Sequence, residues 1–182
     1  MEQKTTKAMQ SFVAKLMDKV QRDNTALMIE YDEQWPSECY QERRESGSLV
    51  RWQPVVQNEP QDWQNLASAL ELDLHESVSQ FFQTYWSHHL KAMHSNGPIE
   101  LIQVWNAEDA QRLQQNMVGH VLMKRRLQHP ETLFFALTEQ EDVILSVENQ
   151  TGAVVVEQLG KKPTQIIAQD LASFINSLNP LI

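Results

Sequence analysis

The sequence has little glycine and almost no cysteine: five of the first and one of the second in 182 residues. Five glycines leave no room for a GxGxxG fingerprint or a P-loop, which removes the common nucleotide-binding folds. A lone Cys39 cannot close an internal disulfide, so the expected compartment is a reducing one. No stretch approaches the roughly 18 consecutive apolar residues that a membrane-spanning helix needs. Met9, Phe12, Val13, Leu16 and Val20 recur at helical spacing among charged residues, which reads as an amphipathic helix and not as a signal peptide. Also missing is a Gly-x-Ser-x-Gly elbow, and residues 130–160 contain no Lys or Arg at all.

What the chain does have is acid. Its net charge is −9, and the placement says more than the sum. Residues 30–76 hold eleven acids against Arg43, Arg44 and Arg51, while 130–160 hold six acids and no base. Residues 1–29 and 99–129 are mildly basic by comparison. A field of this sign repels nucleic acid and anionic lipid and draws basic surfaces toward it. The plainer reading is a solubilising surface with no partner.

Hydrophobic residues make up 41% of the chain, ordinary for one globular domain of this length. We find no repeat, low-complexity tract or linker, so 1–182 reads as a single domain. The longest irregular stretch falls at 32–48, with Leu49–Trp52 as a strand closed by Pro54. Asp62 is placed to cap a helix through Leu66, Ala69 and Leu70. A second helix is expected from Val78, Phe81, Phe82 and Tyr85, stopped by Asn96, Gly97 and Pro98. Ile99–Trp105 reads as a strand, and Asn106 as the cap of a helix carrying Ala110, Leu113, Met117 and Val121, with a bend at Gly119 and His120. Three strands follow at 132–138, 143–148 and 153–157, close enough for antiparallel hairpins. A final helix carries Ile167, Leu171, Phe174 and Leu178, stopped by Asn179 and Pro180. Without strict βα alternation, the expected class is α+β: a mostly antiparallel sheet covered by helices.

Chemistry is harder to find. His88, His89 and His94 cluster, but no Cys pair or helical His-x-x-x-His completes a tetrahedral set, so no metal is expected. The simpler reading is imidazoles at a solvated helix terminus. Cys39 is flanked by Glu38 and Glu42, which would raise its pKa and dull the thiolate. Carboxylate neighbours such as Asp32 and Glu33, Glu108 and Asp109, or Glu141 and Asp142 could in principle serve as acid and base in a hydrolase. Adjacent residues in a helix or strand point apart, however, so no catalytic residue, cofactor or small-molecule substrate is expected. Trp63, Trp86 and Trp105 lie on apolar patterns and read as core. Trp35 and Trp52 lie in or beside the acid-rich irregular stretch, where a large aromatic rimmed by carboxylates suits a partner-binding surface; core packing is the alternative for Trp35 and the first reading for Trp52. Acids in a first helical turn (Glu108, Asp109) or at a hairpin turn (Glu139, Glu141, Asp142) have structural uses as well. The expected binding residues are Trp52, Glu108, Asp109, Glu139, Glu141 and Asp142.

Five segments taken together resemble the Syd family of SecY-interacting proteins. They are Val50–Pro54 (Val-Arg-Trp-Gln-Pro), Leu101–Asp109 (Leu-Ile-Gln-Val-Trp-Asn-Ala-Glu-Asp), Gln115–His120 leading to Lys124–Leu127, Thr132–Ala136, and Leu178–Leu181. The likeness spans essentially the whole chain, in order. It implies the α+β fold of the SUKH superfamily with a concave binding face. It also implies a cytoplasmic protein held peripherally on the inner membrane through SecY, the channel subunit of the Sec translocase. Syd proteins are thought to dock an electronegative concave surface on SecY's cytosolic loops, and to monitor or restrain improperly assembled SecY. The positive-inside rule makes such loops rich in Lys and Arg, so the charge map and the resemblance agree. Another SUKH-type binder, an immunity protein masking a basic soluble partner, would share the same fold and acidity.

Overall fold

The computed structural model describes residues 2–182. Its frame is a curled, fully antiparallel seven-stranded sheet. Five of its strands are Leu90–His94, Gly97–Leu101, Thr132–Thr138, Val143–Glu148 and Val154–Gln158, paired in chain order. Gln165–Ala168 adds one edge, and Asn179–Pro180 adds the other beside Leu90–His94. In chain order the strands are β1 (Met28–Glu30), β2 (Leu49–Arg51), β3 (Val55–Val56), β4 (Tyr85–Trp86), β5 (Leu90–His94), β6 (Gly97–Leu101), β7 (Thr132–Thr138), β8 (Val143–Glu148), β9 (Val154–Gln158), β10 (Gln165–Ala168) and β11 (Asn179–Pro180). The helices are α1 (Lys4–Arg22), α2 (Gln64–Ala69), α3 (Glu76–Gln83), α4 (Ala107–Arg126) and α5 (Leu171–Asn176).

Strand alternation assigns each face of the sheet. Leu133, Val147 and Val154 stand opposite one another across β7, β8 and β9 and are fully buried. Phe135 sits at the irregularity between Phe134 and Ala136 and meets Phe81 of α3 and Phe174 of α5. This face is therefore covered by α3 and α5, with α1 packed on both. The apolar stripe of α1 (Met9, Phe12, Val13, Leu16, Val20) is buried as its spacing predicts. The opposite face carries Thr132, Ser146 and Glu157 and lies against α4, whose His120 and Lys124 meet Thr132 and Glu157.

The α+β class, the meander of β7, β8 and β9, and the cap of α4 match the sequence reading, whereas α2 has Trp63 at its N-cap and Asp62 one residue before it. Asp62 Oδ1 accepts the Gln64 N–H at 2.8 Å, and Asn106 Oδ1 accepts that of Asp109 at 2.9 Å. Four expectations need correction. The second helix ends at Gln83 and not at Asn96. Leu90–His94 has helix-favouring residues, yet it forms β5 because Leu90 and Ala92 bury on alternate positions while pairing with β6. Pairing and burial override local propensity there, and Ser95 and Asn96 become a hairpin loop. The final helix is likewise short, because Ile167 belongs to β10. Pro180, expected only as a stop, sits in edge strand β11, where its missing N–H is tolerated. Finally, α4 runs unbroken through Gly119 and His120.

Candidate functional site

The long connection 31–48 between β1 and β2 is irregular, as read from the sequence, but it is firmly attached. Ser37 Oγ donates to Trp105 O at 2.7 Å, Asn106 Nδ2 to Pro36 O at 2.8 Å, and Trp105 Nε1 to Trp35 O at 3.3 Å. These bonds tie the loop to the segment that leaves β6 and enters α4. A continuous aromatic cluster fills the junction. Tyr31 and Tyr40 have centroids 4.7 Å apart, Tyr40 meets Trp105 edge-on at 5.1 Å, and Trp52 meets Trp105 at 5.8 Å.

Between the loop and this segment lies an open cleft of about 460 Å³. Its aromatic walls are Tyr31, Trp35, Tyr40 and Trp105, and Glu30, Asp32 and Asp109 bring carboxylates to it. Among the described residues none of these three acids takes part in an ion pair. Asp109 is held by the backbone N–H of Trp105, which donates to its Oδ2 at 2.8 Å. One Asp32 oxygen accepts the Gln34 N–H at 2.9 Å.

His88 and His89 also line the cleft. The sequence placed them, with His94, at a helix terminus. The structure instead puts His88 and His89 in the turn before β5 and His94 at its end, packed on Phe174. His89 Nδ1 accepts the backbone N–H of Gln103 at 3.0 Å, so that nitrogen carries no proton. Burial is the main cause that holds the His89 pKa below its ordinary 6.5, helped by His88 and opposed by Glu100 and Asp109. Gln103 is 2% exposed. Its Nε2 donates to Ile102 O at 2.8 Å, and its Oε1 has no donor.

The residues expected from the sequence separate in space. Asp109 is in the cleft wall, whereas Glu108, its neighbour on α4, is exposed and outside the lining. Trp52 is 7% exposed and stands behind the cleft, supporting Trp105 and His88 from the core side. Glu139, Glu141 and Asp142 lie in the exposed β7–β8 turn. Thr138 pairs with Ile99, so this turn sits near the Gly97 end of β6 while α4 starts beyond the Leu101 end. Glu139 borders a different cavity, lined also by Val143, Leu145 and Val156. The two acidic groups therefore do not share a cavity. Asp32 reads from the sequence as one of a carboxylate pair, whereas Glu30, Tyr31, Tyr40 and Gln103 are not singled out there. The signal that could have found the acids among them is the excess of carboxylates after residue 30, but nothing local announces that Gln103 turns up beside them.

Cys39 is completely buried, and its thiol is pushed up to about 11. Burial is the chief cause, with Glu38 a minor contributor and Glu42 none, so the acid-flank explanation is corrected even though its direction holds. Among the described residues no group of three or more His, Cys, Asp or Glu converges so as to hold a metal ion. None of their helices is long and apolar enough to cross a membrane.

Comparison with known proteins places these features. The family described as Syd protein (SUKH-2) matches residues 6–180. Protein Syd of Pseudoalteromonas atlantica is 46% identical over 175 residues, covering 95% of this chain and 94% of that protein. Protein Syd of Alteromonas mediterranea is 51% identical, covering 85% and 86% respectively. Protein Syd of Colwellia psychrerythraea is 40% identical, covering 82% and 79%.

Proposed function

The chain belongs to the Syd protein family, and from that premise we propose that it is a regulatory binding protein that docks on the basic cytosolic loops of SecY. The observation that carries this reading is the cleft itself: Glu30, Asp32 and Asp109, free of ion pairs among the described residues, beside aromatic walls that are half-buried in Tyr31, Trp35 and Tyr40 and buried in Trp105. Carboxylates already neutralised by neighbouring bases would offer a cationic loop little. These are available, and the chain's net charge of −9 adds a long-range pull that raises the rate of encounter. Docking holds the protein on the cytoplasmic side of the inner membrane without insertion, and lets it monitor or restrain SecY that is improperly assembled.

The contact surface in this reading starts at the cleft, with Asp109 in its wall, Glu108 beside it on α4, and Trp52 bracing the aromatic floor. Glu139, Glu141 and Asp142 form a second acidic patch at the far end of β6 that an extended basic loop would reach. Binding needs no cofactor and no chemical step.

The test is co-sedimentation with inverted inner-membrane vesicles that are rich in SecY or depleted of it. Binding should follow SecY, and should fall steeply as the screening length shrinks from about 10 Å at 0.1 M salt to about 3 Å at 1 M. The exposed-site double variant Glu30→Lys/Asp32→Lys should bind at least about tenfold more weakly, the loss expected from reversing charges at a steering site. Equal binding to both vesicle types would defeat the reading and turn attention to a basic soluble partner, as for a SUKH-type immunity protein.

A further inference from the structure

We infer that the cleft between the 31–48 loop and the start of α4 is a receptor for a single arginine side chain, which inserts its guanidinium between the aromatic walls and onto Gln103. This rests on the docking reading and narrows it from a diffuse acidic surface to one side-chain pocket.

The argument begins with Gln103. Its side chain is buried, its Nε2 is committed to Ile102 O, and its Oε1 lacks a donor. A buried acceptor without a partner costs on the order of 1–3 kcal/mol, and the residue that carries it, with Oε1 itself shut off from solvent, is part of the cleft lining. The occupant that relieves it must donate hydrogen bonds. Three further groups of the cleft require the same of it, because the carboxylates of Glu30, Asp32 and Asp109 only accept.

Arginine fits this set better than lysine. A guanidinium has five donors in one plane and no acceptor, so it can reach Gln103 Oε1 and a carboxylate at once. Its flat, weakly hydrated face stacks on aromatic rings, whereas an ammonium is a compact and strongly hydrated point charge. The walls provide such rings in Tyr31, Tyr40, Trp35 and Trp105. The protein already demonstrates the contact once, because the guanidinium of its own Arg112 lies 5.3 Å from the Trp35 ring centroid. The cleft volume of about 460 Å³ admits one long side chain with accompanying water.

His89 sets a pH limit on the pocket. His89 Nδ1 must stay unprotonated to accept the Gln103 N–H, and the groups facing it are His88, Glu100 and Asp109. Acidification would place positive charge at the bottom of the cleft and compete with the incoming guanidinium.

The experiment titrates full-length protein with N-acetyl-arginine amide, N-acetyl-lysine amide and the neutral N-acetyl-citrulline amide at millimolar concentrations. The readout is the indole N–H signals of Trp35 and Trp105 in ¹⁵N–¹H spectra. Arginine should move both signals saturably, lysine should bind at least about fivefold more weakly, and citrulline should not bind, as planar cation recognition requires. Gln103→Met should weaken arginine binding about threefold or more and leave lysine unchanged, the loss of one hydrogen bond to a charged group. Because Gln103 is buried, the exposed pair Glu30→Gln/Asp32→Asn gives a second handle that leaves the core alone, and it should weaken both cations. Equal affinity for arginine and lysine, or Trp signals that do not move, overturns the pocket. Vesicle binding that still follows SecY while the cleft ignores arginine would refute the pocket and leave the docking reading standing. Arginine selectivity without any SecY dependence would do the reverse.

Discussion

Lys124 carries its ammonium into the interior between α4 and the sheet, fully buried, and donates to Lys161 O at 2.9 Å. Its charge partner is Glu157 Oε1 at 3.3 Å, also fully buried, and His120 Nε2 stands 3.5 Å from the same oxygen. Neither Glu157 oxygen has a well-directed hydrogen bond, so the carboxylate depends on the charges around it. Removing one partner leaves the other buried and uncompensated. Lys124→Met should therefore cost about 3–5 kcal/mol in urea unfolding, whereas Lys124→Met combined with Glu157→Leu should recover most of that loss, because an apolar pair of similar volume often matches a buried ion pair. A double variant as unstable as the single one would show that the pair contributes through hydrogen bonding and shape instead. A charge count places Lys124 with Arg125 and Arg126 among the bases of 99–129, yet only the two arginines are exposed. Lys, Arg and Glu are almost never fully buried, so sequence reasoning assigns each to the surface until a partner on a distant strand is known.

At the scale of elements, the β8–β9 turn and the N-terminus of α3 lean on one another. Gly152 has φ +78, and a Cβ added there would overlap the His75 imidazole. That imidazole caps α3 by accepting the Ser77 N–H at Nδ1, and the His75 N–H donates to Asn149 Oδ1 at 2.8 Å. Gly152→Ala meets both a left-handed backbone and a displaced cap, so a cost of about 1–3 kcal/mol in thermal or urea unfolding is expected. A neutral result would mean that His75 swings aside without loss of the α3 cap. A hairpin glycine is legible from sequence as a turn; that it clears space for a helix cap nearly eighty residues earlier is not. The same limit explains β5. Its residues favour helix in isolation, and only the register with β6, Leu90 to Leu101 and Ala92 to Ile99, turns them into a strand.

Of three histidines with depressed pKa, His89, His120 and His129, the first two couple the whole molecule to pH through their burial. Burial lowers the pKa of His120 against the opposing pull of Glu157, and burial likewise lowers that of His89. When a folded-state pKa lies below the unfolded one, the unfolded chain binds more protons, so stability rises with pH across the interval. Both contributions are fully present above the ordinary value of 6.5 and are lost as pH falls through the folded values. Stability should thus be level from about pH 7 to 8 and decline below about 6.5, the unperturbed histidine value. His120→Gln should flatten part of that decline in urea titrations from pH 5 to 8. An unchanged slope would place the proton uptake on other groups. If His89 closes the cleft by the same protonation, arginine binding should fall over the same range.

Composition and periodicity by themselves determined the class and the sign of this protein. One cysteine, few glycines, the stripe of α1, the short turns of the β7–β8–β9 meander and the uneven acids are local properties, and local sequence suffices to read them. The family likeness of Leu101–Asp109 is likewise a property of the sequence alone. Only the tertiary structure decided which acids stand together. Glu30 and Asp32 meet Asp109 because hydrogen bonds from Ser37, Asn106 and Trp105 draw the 31–48 loop across some seventy residues of chain. Glu139, Glu141 and Asp142, equally acidic, are carried by β6 and β7 to the other end of the strand. Charge can be counted along a chain, but a cleft is made where distant segments close on one another, and that depends on pairing and packing that no single stretch encodes.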